Sequence, residues 1–237
     1  MNPAVTYGEH TIEYSLERRE RATLEITVTP HGVVEVVAPV DAHIDAVEAR
    51  VRRRARWILR QQRYFVQFLP RTPPREWVPG ETHLYLGRQY RLRIGERAAQ
   101  VRRVRLIRGF LLIDGCAFDD RDSIERVVRT WYRQHADVQF RRRLEACAAR
   151  FPEASRPTPT SIRLRAMPAR WGSMSPGGCL TLNPELVHAP VDAIDYVITH
   201  ELCHMIEPHH GRAFFELLGR IMPDWEPRKQ RLERALA

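Results

Sequence analysis

The feature that most constrains the fold is a proline placed directly behind a histidine-rich segment, in THELCHMIEPHHGRAFF (residues 199–215). His200 and His204 are four residues apart, so a helix would place their side chains one turn apart on the same stripe. Pro208 lacks an amide hydrogen and disfavours helical geometry at the residue before it, so the helix should end about two residues earlier. The chain can then turn back and bring His210 close to the first two histidines.

The segment also has the chemistry of a metal site. It contains an HExxH arrangement, in which two neutral imidazoles bind a metal ion and a carboxylate acts as a base. Glu201 falls between the histidine stripe and an apolar sector of the helix, so the ion would lie at the edge of a buried face. The spacing from His200 to His210 equals that of the metzincin motif HExxHxxGxxH, with Glu207 at the glycine position. We therefore expect His200, His204 and His210 to bind the metal.

Alternatives remain open for the residues around this motif. Glu216, on the next helix, is the competing third ligand, as in zincins that use a glutamate there. We expect His209 to be a bystander, because adjacent residues rarely both reach one ion. The histidines could also form a cap that favours the helix dipole, but a cap explains neither Glu201 nor the helix break. Asp195 lies well round the helix, so we expect it to bind a structural partner rather than a ligand histidine.

The charge of the chain leaves two interpretations open. The formal net charge is +9 and the isoelectric point is about 10.0, which is typical of many nucleic-acid-binding proteins. Of 38 basic residues only Lys229 is a lysine, and such usage can reflect a GC-rich coding bias. Short clusters, RVRRRAR and RRRLEACAAR, fall on predicted helices. The arginines therefore indicate either solvated helix faces or a nucleic-acid surface.

The composition also bears on the compartment. No run of about 18 or more apolar residues occurs, so we expect no membrane span. The N-terminus lacks the pattern of a secretory signal, which favours a cytoplasmic protein. The cysteines are scattered without a CxxC pair, which indicates reduced and mostly buried thiols rather than disulfides or a thiolate zinc site; they are Cys116, Cys147, Cys179 and Cys203.

Hydrophobic periodicity predicts strands in the first third of the chain. TIEYSL, ATLEITVTP and VVEVVAP alternate apolar and polar residues, and PHG offers a turn. A helical pattern then runs from Asp41, a predicted N-cap, to about Leu69, where a proline-rich segment ends it. Further strands are predicted in THLYLGRQYRLRI, VRRVRLIRG and FLLIDG.

The second half of the chain is mostly helical. A long helix is predicted over about 122–149, followed by strands in SIRLRAM and CLTLN and three helices over about 192–206, 211–221 and 226–236. This order predicts an α+β fold. We expect a β-rich N-terminal subdomain with one long helix (residues 1–115) and a catalytic subdomain that combines a small sheet with the HExxH helix (residues 116–237).

Several separated motifs resemble, in the same order, the YgjP-like metallopeptidases, predicted zinc-dependent hydrolases of the zincin superfamily. The matching parts are RWGS at 170–173, LN at 182–183, Pro190, DYVI at 195–198, the HExxH motif, His210 with Phe214, and PD at 223–224. VVEVVAP, RARWIL and ETHLYLGRQYRLRI are also similar, so the likeness covers about residues 20–233 as one unit. One departure is Met174, where the family usually has a cysteine; it leaves the metal chemistry unaffected.

The resemblance implies a zincin-like catalytic half and one zinc ion per chain, bound by His200, His204 and His210. It also implies hydrolysis of peptide bonds by a zinc-activated water with Glu201 as the general base, and thus protein or peptide substrates. Peptide hydrolysis needs a second group besides zinc to stabilise the oxyanion. The candidates for it are Arg170, Tyr132 and Tyr196.

Substrate contacts are expected from residues that flank the predicted CLTLN strand. Arg170, Trp171, Gly172 and Asn183 are the predicted substrate-binding residues. We expect CLTLN to lie at a sheet edge, where it would pair with the extended backbone of the substrate. Trp171 could instead be a core anchor, and Gly172 only a turn.

Two other functions remain open. The first is a basic nucleic-acid-associated protein with a structural zinc, which would need a fourth protein ligand such as His209 or Glu216. The second is a protease recruited by DNA, since the chain is distantly similar to SprT-type proteases, which act on proteins near DNA. Nucleic acid is thus allowed as a partner but not required. We expect no membrane partner and a monomer.

Overall fold

In the computed structural model the described residues are 2–29, 32–66, 75–96, 102–168 and 170–236. Within these ranges the chain forms five α-helices and eleven strands in three small sheets, which confirms the predicted α+β class. The chain divides into two compact units, Met1–Arg71 and Thr72–Leu236. The PHG turn lies partly, and the predicted end of the first helix wholly, outside the described residues.

The first unit combines a four-stranded sheet with one long helix. Strands β1 (Ala4–Tyr7), β2 (His10–Arg19), β3 (Glu25–Val28) and β4 (Val34–Pro39) are ordered β1-β2-β4-β3. The β2–β4 pair is parallel and the other two pairs are antiparallel. The sheet and helix α1 (Ile44–Val66) share one core, which contains Ile12, Tyr14, Val34, Val36, Val47, Val51, Ala55 and Ile58.

Helix α1 begins later than its sequence suggested. The carbonyl of His43 is the first acceptor, receiving hydrogen bonds from the amides of Ala46 and Val47. The predicted N-cap, Asp41, therefore lies outside the helix. Strand β1 was not predicted either, because its four residues are too few to show an alternation.

The second unit contains the remaining two sheets. Strands β5 (Thr82–Tyr85), β6 (Arg88–Ile94), β7 (Arg103–Ile107) and β8 (Phe110–Asp114) are ordered β5-β6-β8-β7. Their buried residues share one core with helix α2 (Arg121–Ala148). The predicted subdomain boundary after residue 115 therefore falls directly behind β8, inside this unit.

The small third sheet corrects one expectation. Its strands β9 (Ser161–Leu164), β10 (Gly172–Met174) and β11 (Cys179–Leu182) are ordered β10-β11-β9. The CLTLN strand, β11, is thus central rather than at an edge, because β9 pairs with it on one side and β10 on the other. Among the described strands, β10 occupies the edge that was assigned to β11.

Three helices complete the unit, as predicted: α3 (Val191–Cys203), α4 (Arg212–Ile221) and α5 (Trp225–Ala235). Helix α3 and its C-cap residue, His204, carry the HExxH motif, and the helix is buried along most of its length. No helix among the described residues combines the length and apolar character needed to cross a bilayer. The four cysteines are free thiols; all but Cys179 are buried, as expected.

Asp195 fixes α3 against α2, in agreement with its predicted structural role. Its carboxylate accepts two hydrogen bonds of 2.6 Å from the guanidinium of Arg143 and one of 2.9 Å from Arg150. The side chain is only 4% exposed. A bidentate pair of this kind is among the stronger polar interactions in proteins.

We expect Asp195→Ala to lower the free energy of unfolding by roughly 3 kcal/mol, because Arg143, Arg150 and Arg228 lose a buried partner. Asp192→Ala, on the same helix, is the matched control. Its ion pair with Arg231 is partly exposed and should be worth less than about 1 kcal/mol. Urea unfolding followed by circular dichroism measures both; equal losses would contradict the role of Asp195.

Candidate metal centre

Three imidazoles converge at the C-terminal end of α3. The Nε2 atom of His210 lies 2.9 Å from Nε2 of His200 and 3.1 Å from Nε2 of His204. The structure thus brings together the three predicted ligands, whose ligand atoms all lie within 4.8 Å of one another. Converging imidazole nitrogens suit zinc and other borderline divalent metals.

The electrostatics keep these imidazoles in the form that binds metal. Burial, followed by the charges of His210 and His204, lowers the pKa of His200 to about 3. Burial, followed by the charge of His204, also lowers the pKa of His210. Neutral imidazole is the form that coordinates a metal ion, so the donor set fits one.

The helix end brings His210 into place. After Cys203 the chain continues in tight turns, in which the amides of Met205 and Ile206 bond to the carbonyls three residues earlier. The α-helix therefore ends at Cys203, three residues before the end predicted near Ile206, and turns complete the segment. Nδ1 of His204 lies 3.2 Å from the carbonyl oxygen of Glu207. A hydrogen bond donated there leaves Nε2 free to accept a metal.

Phe214 packs against all three imidazoles. Its ring centroid lies 4.9, 4.6 and 4.8 Å from those of His200, His204 and His210. The side chain is fully buried on α4, as expected for a core residue. The same residue that anchors α4 therefore also restricts the orientation of all three imidazoles.

Glu201 lies beside the triad and is only 7% exposed. Burial raises the pKa of its carboxyl to about 7, although a hydrogen bond from the backbone of Met174 and the charge of Arg170 oppose this rise. A bound cation would also favour the ionised form. The carboxylate is therefore buried and oriented by a backbone amide, as a proton-transfer group requires.

Gly172 allows β10 to pack directly on this carboxylate. A Cβ atom at this position would lie 2.8 Å from Cγ and 2.9 Å from Oε1 of Glu201, and 3.0 Å from Cγ1 of Val197. Only a glycine leaves room for the contact. Gly172 is therefore part of a strand next to Glu201, and not only a turn.

An open cavity of about 950 Å³ lies over these groups. Residues 170–176 with Gly178 form one wall, and residues 208–210 contribute to another. Helix α3 contributes Tyr196, Val197, His200 and Glu201, and the turn after it contributes His204 and Met205. Three of the four predicted substrate-binding residues, Arg170, Trp171 and Gly172, thus lie in the wall.

Asn183 does not line this cavity. It is 5% exposed, and its amide donates to the carbonyls of Met167 (2.9 Å) and Arg170 (3.4 Å). Its Oδ1 accepts a hydrogen bond from the amide of Glu185, at the start of a 3₁₀ turn. Asn183 therefore supports the wall from behind instead of lining it, because its polar atoms are used by the backbone.

The structure also distinguishes among the remaining candidates for the oxyanion donor and for the third metal ligand. Tyr196 lines the cavity, with its ring 5.8 Å from that of His200. Tyr132 does not, since its hydroxyl donates to the carbonyl of Leu84 at 2.8 Å. Glu216 is exposed and pairs with Arg212 at 2.6 Å, away from the triad. His209 lines the cavity outside the triad.

Sequence reasoning missed the backbone of Met174, which bonds to Glu201. A backbone amide leaves no signature of residue type, and strand β10 is too short to show a period. The following SPGG turn, which pairs Ser175 with Cys179, was the available signal that a strand precedes it.

A comparison with protein families identifies the family of this chain. A family model described as "YgjP-like, metallopeptidase domain" matches residues 22–235. Among solved structures, the chain is similar to the crystal structure of the metallopeptidase zymogen of Pyrococcus abyssi abylysin, with 18% identity and a TM-score of 0.35. That match covers 39% of this chain and 90% of the other. No curated protein matches the chain.

Proposed function

Since the chain belongs to the YgjP-like metallopeptidase family, we propose that it hydrolyses peptide bonds with one zinc ion bound by His200, His204 and His210 and with Glu201 as the general base. The observation that carries this proposal is the meeting of three Nε2 atoms beside a buried carboxylate, at the floor of an open cavity. Proteins or peptides are the proposed substrates, and a cytoplasmic monomer remains our expectation.

The ligand count supports a catalytic site. Structural zinc sites are normally closed by four protein ligands, whereas catalytic sites use three and keep a position open. Among the described residues, the group that could hold a metal contains three members and lacks both His209 and Glu216. When bound, zinc would supply a Lewis acid that lowers the pKa of a coordinated water and polarises the substrate carbonyl.

Glu201 would move the proton. Its carboxylate would accept a proton from the attacking water and later deliver it to the leaving amine. Burial raises the pKa of this carboxyl and a bound cation would lower it, and these opposing effects suit a group that must both accept and release a proton. The amide of Met174 would keep one carboxylate oxygen in place during these transfers.

Strand β10 would align the substrate. Its three residues line the cavity, and among the described strands it pairs only with β11. An extended peptide could add to its other side by β-augmentation, which would bring the substrate backbone close to Glu201. Arg170 and Tyr196, both in the cavity wall, remain the candidates for a second oxyanion donor.

Casein cleavage by the purified protein, with and without o-phenanthroline, tests the proposal. We expect chelation to abolish cleavage and added zinc to restore it, with about one zinc per folded chain by elemental analysis. A folded, zinc-loaded protein that cleaves neither casein nor a mixed peptide library would contradict the peptidase. Restoration by another divalent metal but not by zinc would contradict only the assigned ion.

A further inference from the structure

Helix α1 of the first unit carries an unusual amount of positive charge. All seven of its arginines are exposed: Arg50, Arg52, Arg53, Arg54, Arg56, Arg60 and Arg63. Its two acidic residues, Asp45 and Glu48, both lie in the first part of the helix. The rest of the helix therefore contains arginines but no acidic residue.

Five of these arginines share one side of the helix. At about 100° per residue, Arg52, Arg53, Arg56, Arg60 and Arg63 fall within about 100° of its circumference, and we name these five the arginine face. It lies opposite the buried stripe of Val47, Val51, Ala55 and Ile58. With a rise of about 1.5 Å per residue, the arginine face extends over roughly 16 Å.

The arginine face is not neutralised by the protein itself. Within the ranges that the structure describes, none of its five members forms an ion pair. Their one side-chain hydrogen bond there runs from Nε of Arg63 to the carbonyl of Leu59. Three arginines of α2 behave differently: Arg129, Arg141 and Arg143 pair with Glu125, Asp137 and Asp195. A coding bias for arginine acts on both helices equally, so it does not account for this difference in pairing.

The spacing of these arginines also destabilises the helix. Arg52, Arg56 and Arg60 follow one another at intervals of four residues, and like charges at this spacing destabilise a helix. A polyanion that binds along the helix would remove this repulsion. Binding should therefore stabilise the first unit as well as neutralise it.

We propose that the arginine face binds the phosphodiester backbone of a nucleic acid. A double helix carries one negative charge about every 1.7 Å of its axis, so several phosphates fall within the length of the arginine face. The planar guanidinium group matches a phosphate through two parallel hydrogen bonds. Contacts of this kind read no base, so we expect binding without sequence preference.

Two other classes of partner fit less well. A helix that lies on a membrane inserts an apolar face into it, but the apolar stripe of α1 is buried in the core of its own unit. Protein interfaces are organised around apolar or aromatic anchors. Between Arg52 and Arg63, α1 exposes no large hydrophobic side chain.

Fluorescence anisotropy of the full-length chain with a labelled 20-base-pair duplex DNA tests the proposal. If about four phosphates are contacted, the logarithm of the binding constant should fall with the logarithm of the salt concentration with a slope of about −3.6. Changing all five residues of the arginine face to glutamine, which keeps the helix propensity, should flatten that slope and weaken binding by roughly 10²-fold at low salt.

A matched variant separates the arginine face from net charge. It carries five other exposed arginines of the second unit as glutamine, namely Arg88, Arg91, Arg121, Arg126 and Arg142, and so loses the same charge. We expect it to bind DNA like the wild type. Equal losses in both variants would overturn the proposal, because total charge and not the arginine face would then decide binding.

The same binding measurement with other ligands identifies the preferred nucleic acid. Duplex RNA and single-stranded DNA of equal length show which source of phosphodiester is preferred, and loss of either interaction in the variant of the arginine face supports the proposal. Binding to phosphatidylserine vesicles but to no nucleic acid would overturn it in favour of a membrane surface. Circular dichroism of each variant shows that the helix is retained, and the measurement does not depend on peptidase activity.

Discussion

Glu201→Gln is expected to lower kcat for peptide hydrolysis by roughly 10²–10⁴-fold, the usual contribution of a general base. The amide keeps the size of the side chain, so the contact with Gly172 is preserved. It also keeps an oxygen that can accept the hydrogen bond from Met174. What it loses is the ability to take up a proton, so zinc content and fold should remain those of the wild type.

Three measurements check this expectation: steady-state hydrolysis of a fluorogenic peptide, zinc content and circular dichroism. Glu207→Gln is the control, because the backbone carbonyl of Glu207, and not its side chain, contacts His204. It should hydrolyse at nearly the wild-type rate. A Glu201→Gln protein that keeps its full rate, or that loses its metal, would show that Glu201 is not the base.

His210→Ala is expected to weaken zinc binding by more than about 100-fold, since even residues that only support metal ligands contribute 10- to 100-fold. Competition with a chromogenic chelator measures this affinity without relying on activity. His210 reaches the other two histidines only through the turn after α3. A loss of affinity in this variant would therefore support both the ligand set and the function of the turn.

Glu216→Ala and His209→Ala are the controls for this experiment. Glu216 pairs with Arg212 and His209 lies outside the triad, so both variants should retain wild-type affinity. Unchanged binding in His210→Ala together with loss in Glu216→Ala would instead identify Glu216 as the third ligand.

The triad could be predicted because each step towards it is local. The stripe of His200 and His204 follows from helix geometry, and the return of His210 follows from the effect of one proline. The support by Phe214 was only partly visible: its burial follows from the period of α4, but its contact with three imidazoles depends on how α4 packs against α3. The long helices were predicted for the same reason, since their periodic patterns are long.

The order of the small sheet could not be predicted, because it depends on partners far apart in the chain. Strand β9 pairs with β11, and the register joins Ser161 to Cys179 and Leu164 to Leu182. Nothing within CLTLN shows that both of its sides are paired. The role of Asn183 could not be predicted for the same reason. Its hydrogen-bond partners, Met167 and Arg170, become its neighbours only when β10 and β11 pair.

The contact between Gly172 and Glu201 has a consequence for where a substrate would be cut. There is no room for a single extra carbon between strand and carboxylate, so the strand cannot move closer to Glu201 than it already lies. In the proposed mechanism, a peptide paired with β10 would be held by its main chain, and each register step would advance it by about 3.3 Å past the base. The position of the scissile bond would then be counted in backbone steps from the strand, and side chains would decide only which registers are tolerated.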